Sequence, residues 1–330
     1  MATGVAVPVS AAVPARRAAP GCSAPVTPPQ PSTANPWAQR RYLPDRLAPL
    51  ATGKGVTVAV VDSGVDDGHP QLRDNVLRGS DWLDAGGDGR RDCAGHGTAV
   101  ASIIAASVRE GTPFHGLAPD ADILPVRVSE LQELDGKQSG RAAKPARFAA
   151  AIRWAVDHDA DVINLSVVLY EDHPAVREAI EYAVESDVVV VAAAGNMYEQ
   201  GNPRSYPAAY DQVLGVGAVG PDGVRSRFSQ TGAYVDLVAP GGAVRAATPG
   251  RGHTEVNGTS YAAPFVSATA ALIRQYQPEL SAREVAARII TTTDPAPGQG
   301  PGYGTGILNP YRAVTETAAV GHPARAAALP

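Results

Sequence analysis

Short runs of apolar, β-branched residues alternate along this chain with longer segments that have a helical period. Such a run, bounded by turn residues, is typical of a strand buried on both faces of a sheet. Five of these runs lie at 55–65, 121–128, 161–168, 187–194 and 213–219. Helical patterns lie at 96–107, 146–159, 175–186, 260–277 and 281–293. The alternation predicts an α/β fold with a mostly parallel central sheet and helices on both faces.

The composition excludes several classes of protein. With 330 residues, of which 44% are hydrophobic, the chain has enough apolar material for a large core and is not globally disordered. A net charge of −5 argues against a nucleic-acid binder that depends on basic charge. No run of 18 apolar residues is present, so we expect no membrane span. Two cysteines, Cys22 and Cys93, rule out a four-cysteine zinc site but allow a disulfide or two free thiols.

The ends of the chain differ from its middle. Residues 1–35 are rich in Ala and Pro and have no period that could bury a face, so they predict a flexible N-terminal arm. Residues 36–316 contain all the predicted elements and form one domain, in which 130–145 lacks an apolar period and reads as a surface loop. Residues 317–330 are Ala-rich and are expected to fray.

Two motifs lie where predicted elements end or begin; one contains an acid and the other an imidazole. Asp62 follows the first apolar run, at the edge of a parallel sheet where active sites form. An aspartate that only stabilises a turn would give the same motif. His96 lies between two glycines at the start of a helix, and an exposed imidazole there is unusual for a core histidine. Each motif alone is therefore weak evidence for chemistry.

A third motif adds a serine. Ser260 opens the long apolar helix, where a serine is more often an N-cap than a nucleophile. The same position brings backbone N–H groups and the positive end of the helix dipole close to the hydroxyl. Together Asp62, His96 and Ser260 supply the orienting acid, the general base and the nucleophile of a catalytic triad. Asn196 could donate its side-chain amide to the developing oxyanion beside the Ser260 N–H, although Gly-Asn also marks turns.

Four segments resemble the motifs of the subtilisin-type serine proteases, in the same order along the chain. They are VAVVDSGV, GHGTAVA, AAAGN and NGTSYAAP, and the resemblance covers about residues 50–316. It implies a three-layer subtilisin-like fold and a serine endopeptidase that hydrolyses peptide bonds without a cofactor or a catalytic metal. Asp84, Asp88 and Asp92 lie among glycines, but their spacing does not fit an EF-hand calcium loop.

A narrower resemblance is to the mycosins, the subtilases associated with type VII secretion in actinobacteria. The segments 35–39, 91–96 and 302–314 are similar to theirs. The resemblance implies an N-terminal extension that wraps around the catalytic domain, an extracytoplasmic location, and a Cys22–Cys93 disulfide. Closing a loop of that length could contribute about 4 kcal/mol. Mycosins usually end in a membrane-anchoring helix, and this sequence contains no such segment.

The resemblance also indicates where a protein or peptide substrate binds. Ser166, Val167 and Val168 would pair with the substrate backbone as an added strand. Ala193, Ala194 and Gly195 would line an apolar pocket that accepts small or apolar side chains. A type VII secretion complex is a candidate partner. Two alternatives stay open: a mainly structural component of a secretion complex, or a stand-alone secreted peptide-processing subtilase.

Overall fold

The computed structural model describes residues 35–134, 137–298 and 300–316. The predicted N-terminal arm and C-terminal tail lie outside the described residues, apart from Asn35. The described strands are β1 (Thr57–Asp62), β2 (Ser80–Asp81), β3 (Asp122–Arg127), β4 (Gln132–Leu134), β5 (Lys137–Ser139), β6 (Val162–Leu165), β7 (Val189–Ala193), β8 (Leu214–Val219), β9 (Leu237–Pro240), β10 (Val244–Ala247) and β11 (His253–Val256). The described helices are α1 (Trp37–Tyr42), α2 (Pro44–Leu47), α3 (His96–Ala105), α4 (Pro145–Val156), α5 (Pro174–Glu185), α6 (Thr259–Tyr276), α7 (Ala282–Thr291) and α8 (Pro310–Thr315).

Seven strands form one parallel sheet in the order β2-β3-β1-β6-β7-β8-β9. Both faces of the sheet are buried, as the alternation within β1 shows. Val58 and Val60 belong to a core shared with α3 and α6, whereas Ala59 and Val61 belong to a second core shared with α4 and α5. The predicted three-layer α/β fold is therefore confirmed, and all five predicted strands and five predicted helices are present.

Several short elements were not predicted. β2 and β9 add an edge strand at each side of the sheet, and β10 pairs with β11 in an antiparallel hairpin. The segment 130–145 is not a continuous loop, because β4 and β5 pair within it. These elements have two to four residues each, and backbone pairing of that length needs no apolar period in the side chains.

The order of the strands determines where the site forms. β1, β6 and β7 are neighbours, so their carboxyl ends meet at one edge of the sheet. α3 and α6 pack against each other on the same face, and both begin at that edge. This edge of the sheet therefore brings together residues that are far apart in the sequence, namely 62, 96, 166, 196 and 260.

Candidate active site

Asp62 and His96 form a hydrogen-bonded pair. Asp62 ends β1 and is 2% exposed, and His96 is the first residue of α3. The Nδ1 atom of His96 lies 2.7 Å from Oδ1 and 2.9 Å from Oδ2 of Asp62, and the Ser63 N–H donates to the same Oδ1 at 2.6 Å. Because a carboxylate only accepts, the His96 proton sits on Nδ1, and Nε2 of the neutral ring carries a lone pair.

The surroundings of His96 favour its protonated form. Burial lowers the pKa of His96, but the charge of Asp62, the hydrogen bond to Asp62 and the charge of Asp92 raise it, and the net pKa is above its ordinary value. The ring packs against Tyr261 with centroids 5.2 Å apart. The His96 side chain keeps 29% of its surface exposed, so a molecule from solvent can reach it.

Ser260 is the second residue of α6. The helix N-cap is Gly258 and has no side-chain cap, so the alternative that Ser260 itself caps the helix is wrong. The Ser260 hydroxyl donates to the Ser166 carbonyl oxygen at 3.3 Å. Within the described part of the chain no hydrogen bond joins it to His96.

Because of a proline in α6, a carbonyl at the start of this helix bonds to a residue at the end of β6. Pro264 has no N–H, so the Ser260 carbonyl lacks its usual helical donor four residues on. The Ser166 hydroxyl donates to that carbonyl instead, at 3.1 Å. Asn164 donates to the Ser166 hydroxyl at 2.9 Å, and Ser267 donates to Asn164 at 2.8 Å. Ser260 is therefore held from both sides by a buried polar chain.

The orientation of the Asn196 amide follows from its neighbours. Asn196 Oδ1 accepts from the Thr259 N–H at 2.9 Å and from the Thr259 hydroxyl at 2.9 Å. Because a backbone N–H can only donate, the amide oxygen must face Thr259 and the NH₂ group must face away. Among the residues that the structure describes, neither Asn196 Nδ2 nor the Ser260 N–H has an acceptor. Two neighbouring donors are thus free for a ligand oxygen.

The predicted substrate-binding residues lie at the two strand ends beside Ser260. Residues 166–168 follow β6, and residues 193–195 lie at the end of β7. Val167 is half-buried, but Ala193 and Ala194 are buried with their side chains in the two cores. These two alanines can therefore offer only backbone groups to a cleft.

Sequence reasoning missed the side chains that support the pair. Asp92, 4% exposed, lies beside Ser63 and Thr98 just before α3. Burial raises the pKa of Asp92 to about 6, although the hydrogen bonds of Thr98, Gly95 and Ser63 lower it. An acidic side chain shortly before a helix was a usable signal, since it commonly accepts from the first N–H groups.

The remaining sequence features are the aspartates of the glycine-rich loop, the question of a membrane span and the cysteine pair. Asp84 pairs with Arg127 and Arg141, and Asp88 pairs with Arg90, so these carboxylates are arginine partners. The described ranges hold no group of three or more side chains that could bind a metal ion, and no helix in them is long and apolar enough to cross a membrane. Cys22 lies outside the described residues, so its pairing with Cys93 stays a prediction.

Comparisons with known proteins show the family of the chain. The subtilase family model matches residues 53–308. The major intracellular serine protease of Bacillus subtilis (strain 168) is 37% identical over 263 residues, 76% of this chain and 80% of that protein. Subtilisin E of the same organism is 36% identical, and the match spans 78% of this chain and 65% of that protein, just under two thirds.

A solved structure is also similar. The serine protease MycP1, described as an essential component of the type VII (ESX-1) secretion system, superimposes with a TM-score of 0.75 and 34% identity, over 89% of this chain and 92% of that chain. With a family model over most of the chain and relatives above 30% identity, the chain belongs to the subtilase family of serine proteases.

Proposed function

We propose that this serine protease hydrolyses peptide bonds with Ser260 as nucleophile, His96 as general base and acid, and Asp62 as the residue that orients His96. The observation that carries the proposal is the Asp62–His96 pair, with Nδ1 fixed at 2.7 Å, at the edge where α6 presents Ser260. A general base needs its free nitrogen directed away from the orienting acid, and this tautomer provides that.

The first step transfers a proton and forms a bond. The Ser260 hydroxyl leaves the Ser166 carbonyl, gives its proton to His96 Nε2, and attacks the scissile carbonyl carbon. The carbonyl π electrons move onto oxygen. His96 then returns the proton to the leaving nitrogen as the C–N bond breaks. A water molecule repeats the sequence on the resulting ester and regenerates Ser260.

The oxyanion is proposed to bind at Asn196 Nδ2 and the Ser260 N–H. Both donors lack acceptors among the described residues, and Thr259 fixes the amide before substrate arrives. Donors fixed in advance need no reorganisation in the transition state, and losing one typically costs about 3 kcal/mol. An Asn196→Ala variant should therefore react roughly 100-fold more slowly, while Tyr198→Phe, on an exposed turn nearby, should not change the rate.

We further propose a mycosin-like role outside the cytoplasm, linked to type VII secretion. The similarity to MycP1 and the segments 35–39 and 302–314 support it. The indole of Trp37 donates to the carbonyl oxygens of Gly242 (3.1 Å) and Ala243 (2.8 Å), which supports an N-terminal extension that packs on the catalytic domain. The Cys22–Cys93 disulfide belongs to the same proposal.

A mainly structural role in a secretion complex is the second candidate. The observation that favours it is the Ser260 hydroxyl, which is engaged with Ser166 and not with His96. If this role is the main one, Ser260→Ala should restore secretion as well as wild type in a strain that lacks the protein. If peptide hydrolysis is required, Ser260→Ala should fail to restore secretion even though the variant protein accumulates.

Intact mass after treatment with a fluorophosphonate tests the chemistry. Wild type should gain one adduct and Ser260→Ala none. Ser186→Ala is a matched control, because Ser186 is an exposed serine that follows α5, away from the site. It should label like wild type. A folded wild type without an adduct would contradict the proposed nucleophile.

A further inference from the structure

A second buried carboxylate lies behind the Asp62–His96 pair. Asp92 Oδ1 accepts from the Ser63 hydroxyl at 2.8 Å and from the Gly95 N–H at 2.7 Å. Its Oδ2 accepts from the Thr98 N–H at 2.8 Å and from the Thr98 hydroxyl at 2.6 Å. Four donors converge on one carboxylate immediately before the helix that begins with His96, so Asp92 fixes the first turn of α3.

Ser63 connects the two carboxylates. Its N–H donates to Asp62 Oδ1 at 2.6 Å, while its hydroxyl donates to Asp92 Oδ1 at 2.8 Å and accepts from the Gly97 N–H at 2.9 Å. Gly97 follows His96 directly. The acid that orients the imidazole and the backbone that carries it are therefore joined through one residue, and Asp92 anchors that residue.

The hydrogen bonds require an acid at position 92. Each carboxylate oxygen faces a backbone N–H, from Gly95 on one side and Thr98 on the other. An amide of the same shape would place its NH₂ group against one of these donors in either orientation. The Ser63 and Thr98 hydroxyls can rotate to accept a proton, whereas a backbone N–H cannot. The site thus specifies a carboxyl group and not merely a polar side chain.

We propose that Asp92 is a positioning residue for the reaction, one that holds the His96–Asp62 pair through Ser63 and adds a second negative charge behind the imidazole. This inference rests on the proposed function, because it assigns Asp92 a part in the chemistry of His96. Asp92 contacts neither substrate nor the reacting atoms in this scheme.

The added charge acts on the protonation of His96. Among the described residues, three titratable groups lie against the imidazole or act on it by their charge: Asp62 from β1, Asp92 from the segment before α3, and Tyr261 from α6. A negative charge near the ring stabilises the imidazolium that forms when Ser260 loses its proton. In the free enzyme the same charge contributes to the raised pKa of His96.

The test is the titration of His96 with and without the Asp92 charge. Nitrogen-15-labelled histidine in a Ser260→Ala background allows the ring to be followed by NMR without autolysis. Asp92→Asn should move the His96 titration to lower pH. The control is Asp161→Asn, since Asp161 accepts from the Thr57 N–H at the opposite edge of the sheet and should leave the titration in place. With Ser260 present, fluorophosphonate labelling of Asp92→Asn should slow roughly tenfold.

The outcomes separate positioning from mere stability. If Asp92→Asn labels slowly but leaves the His96 titration unchanged, Asp92 only stabilises the fold, and the inference is overturned. If neither property changes, it is overturned as well. If Asp92→Asn does not fold by circular dichroism, Ser63→Ala decides, because without its hydroxyl Asp92 loses a donor and the Gly97 N–H beside His96 loses its acceptor. Both charges remain, so the imidazole should be displaced from them: labelling should slow and the pH at which His96 titrates should fall. If Ser63→Ala changes neither property, the inference is overturned. Should wild type fail to label at all, the proposed function fails, but the NMR titration still judges Asp92.

Discussion

A buried histidine should make this protein sensitive to mild acid. His253, on β11, is 6% exposed, and its Nε2 lies 2.7 Å from Gln71 Oε1. The Gln71 NH₂ group donates to the carbonyl oxygens of Ser107 (3.0 Å) and Phe114 (2.8 Å), so the amide oxygen must face the ring. His253 therefore donates through Nε2, and its Nδ1 is buried with no partner among the described residues. A proton added at Nδ1 would find no acceptor.

The size of the effect follows from the shift in pKa. Burial lowers the pKa of His253 to about 4, and the charges of His69 and Arg245 add to the effect. In the unfolded chain a histidine titrates at about 6.5. As the pH falls, the unfolded state binds the proton first, so stability is lost from about pH 6.5 downwards until the folded state titrates near pH 4. Linkage gives a loss of about 2 kcal/mol at pH 5.

Urea unfolding at pH 7 and pH 5 in the Ser260→Ala background measures this loss. His253→Gln keeps an N–H donor towards Gln71 but does not titrate. Between pH 7 and pH 5 the free energy of unfolding of the parent should therefore fall by about 2 kcal/mol more than that of His253→Gln. His158→Gln, the same change at an exposed site, should follow the parent. If His253→Gln and the parent lose the same stability between the two pH values, the reasoning is wrong.

Three further changes test other contacts. Arg127 is fully buried, and its Nη1 lies 2.6 Å from Asp81 Oδ2, so Arg127→Met should lower the free energy of unfolding in urea by about 3–5 kcal/mol. Arg141→Met, at a half-exposed side chain, should lower it by at most about 1 kcal/mol. Equal costs would contradict the buried network. Gly97→Ala would place a Cβ 2.1 Å from a backbone carbonyl oxygen, so fluorophosphonate labelling should be lost, and normal labelling would refute the close approach. Ser281→Ala removes the hydroxyl that accepts from the Glu284 N–H, but keeps the backbone N–H that donates to the Glu284 carboxylate, and should cost about 1 kcal/mol in thermal unfolding; an unchanged melting temperature would argue against it.

Much of the fold could be predicted because its signals are local. A run such as 55–65 is short, β-branched and apolar at successive positions and is bounded by glycines, which favours a strand that is buried on both sides and covered by the helices on either side of it in the sequence. The short elements escaped prediction for the opposite reason. β2 and the β4–β5 pair are held by backbone hydrogen bonds, and neither has enough apolar side chains to leave a pattern.

The residues of the candidate site could also be picked out from the sequence, because Asp62, His96, Asn196 and Ser260 lie in motifs at element ends. These motifs do not reveal how each group is oriented or which hydrogen-bond partners it has. The Asn196 amide is oriented by Thr259, a contact that spans 63 positions of the chain. The Ser260 carbonyl is satisfied by Ser166 because a proline interrupts the helix.

The sequence by itself determined which residues carry functional groups and which segments are buried, since side-chain chemistry and apolar period belong to the chain. Only the tertiary structure decided the protonation and the partners of those groups. Asp92 is the clearest case: in the sequence it is an ordinary acid, but in the fold its carboxylate accepts from Ser63, Gly95 and Thr98 and supports the backbone next to His96. Burial and partners depend on the order of strands in the sheet, and no local stretch of sequence encodes that order.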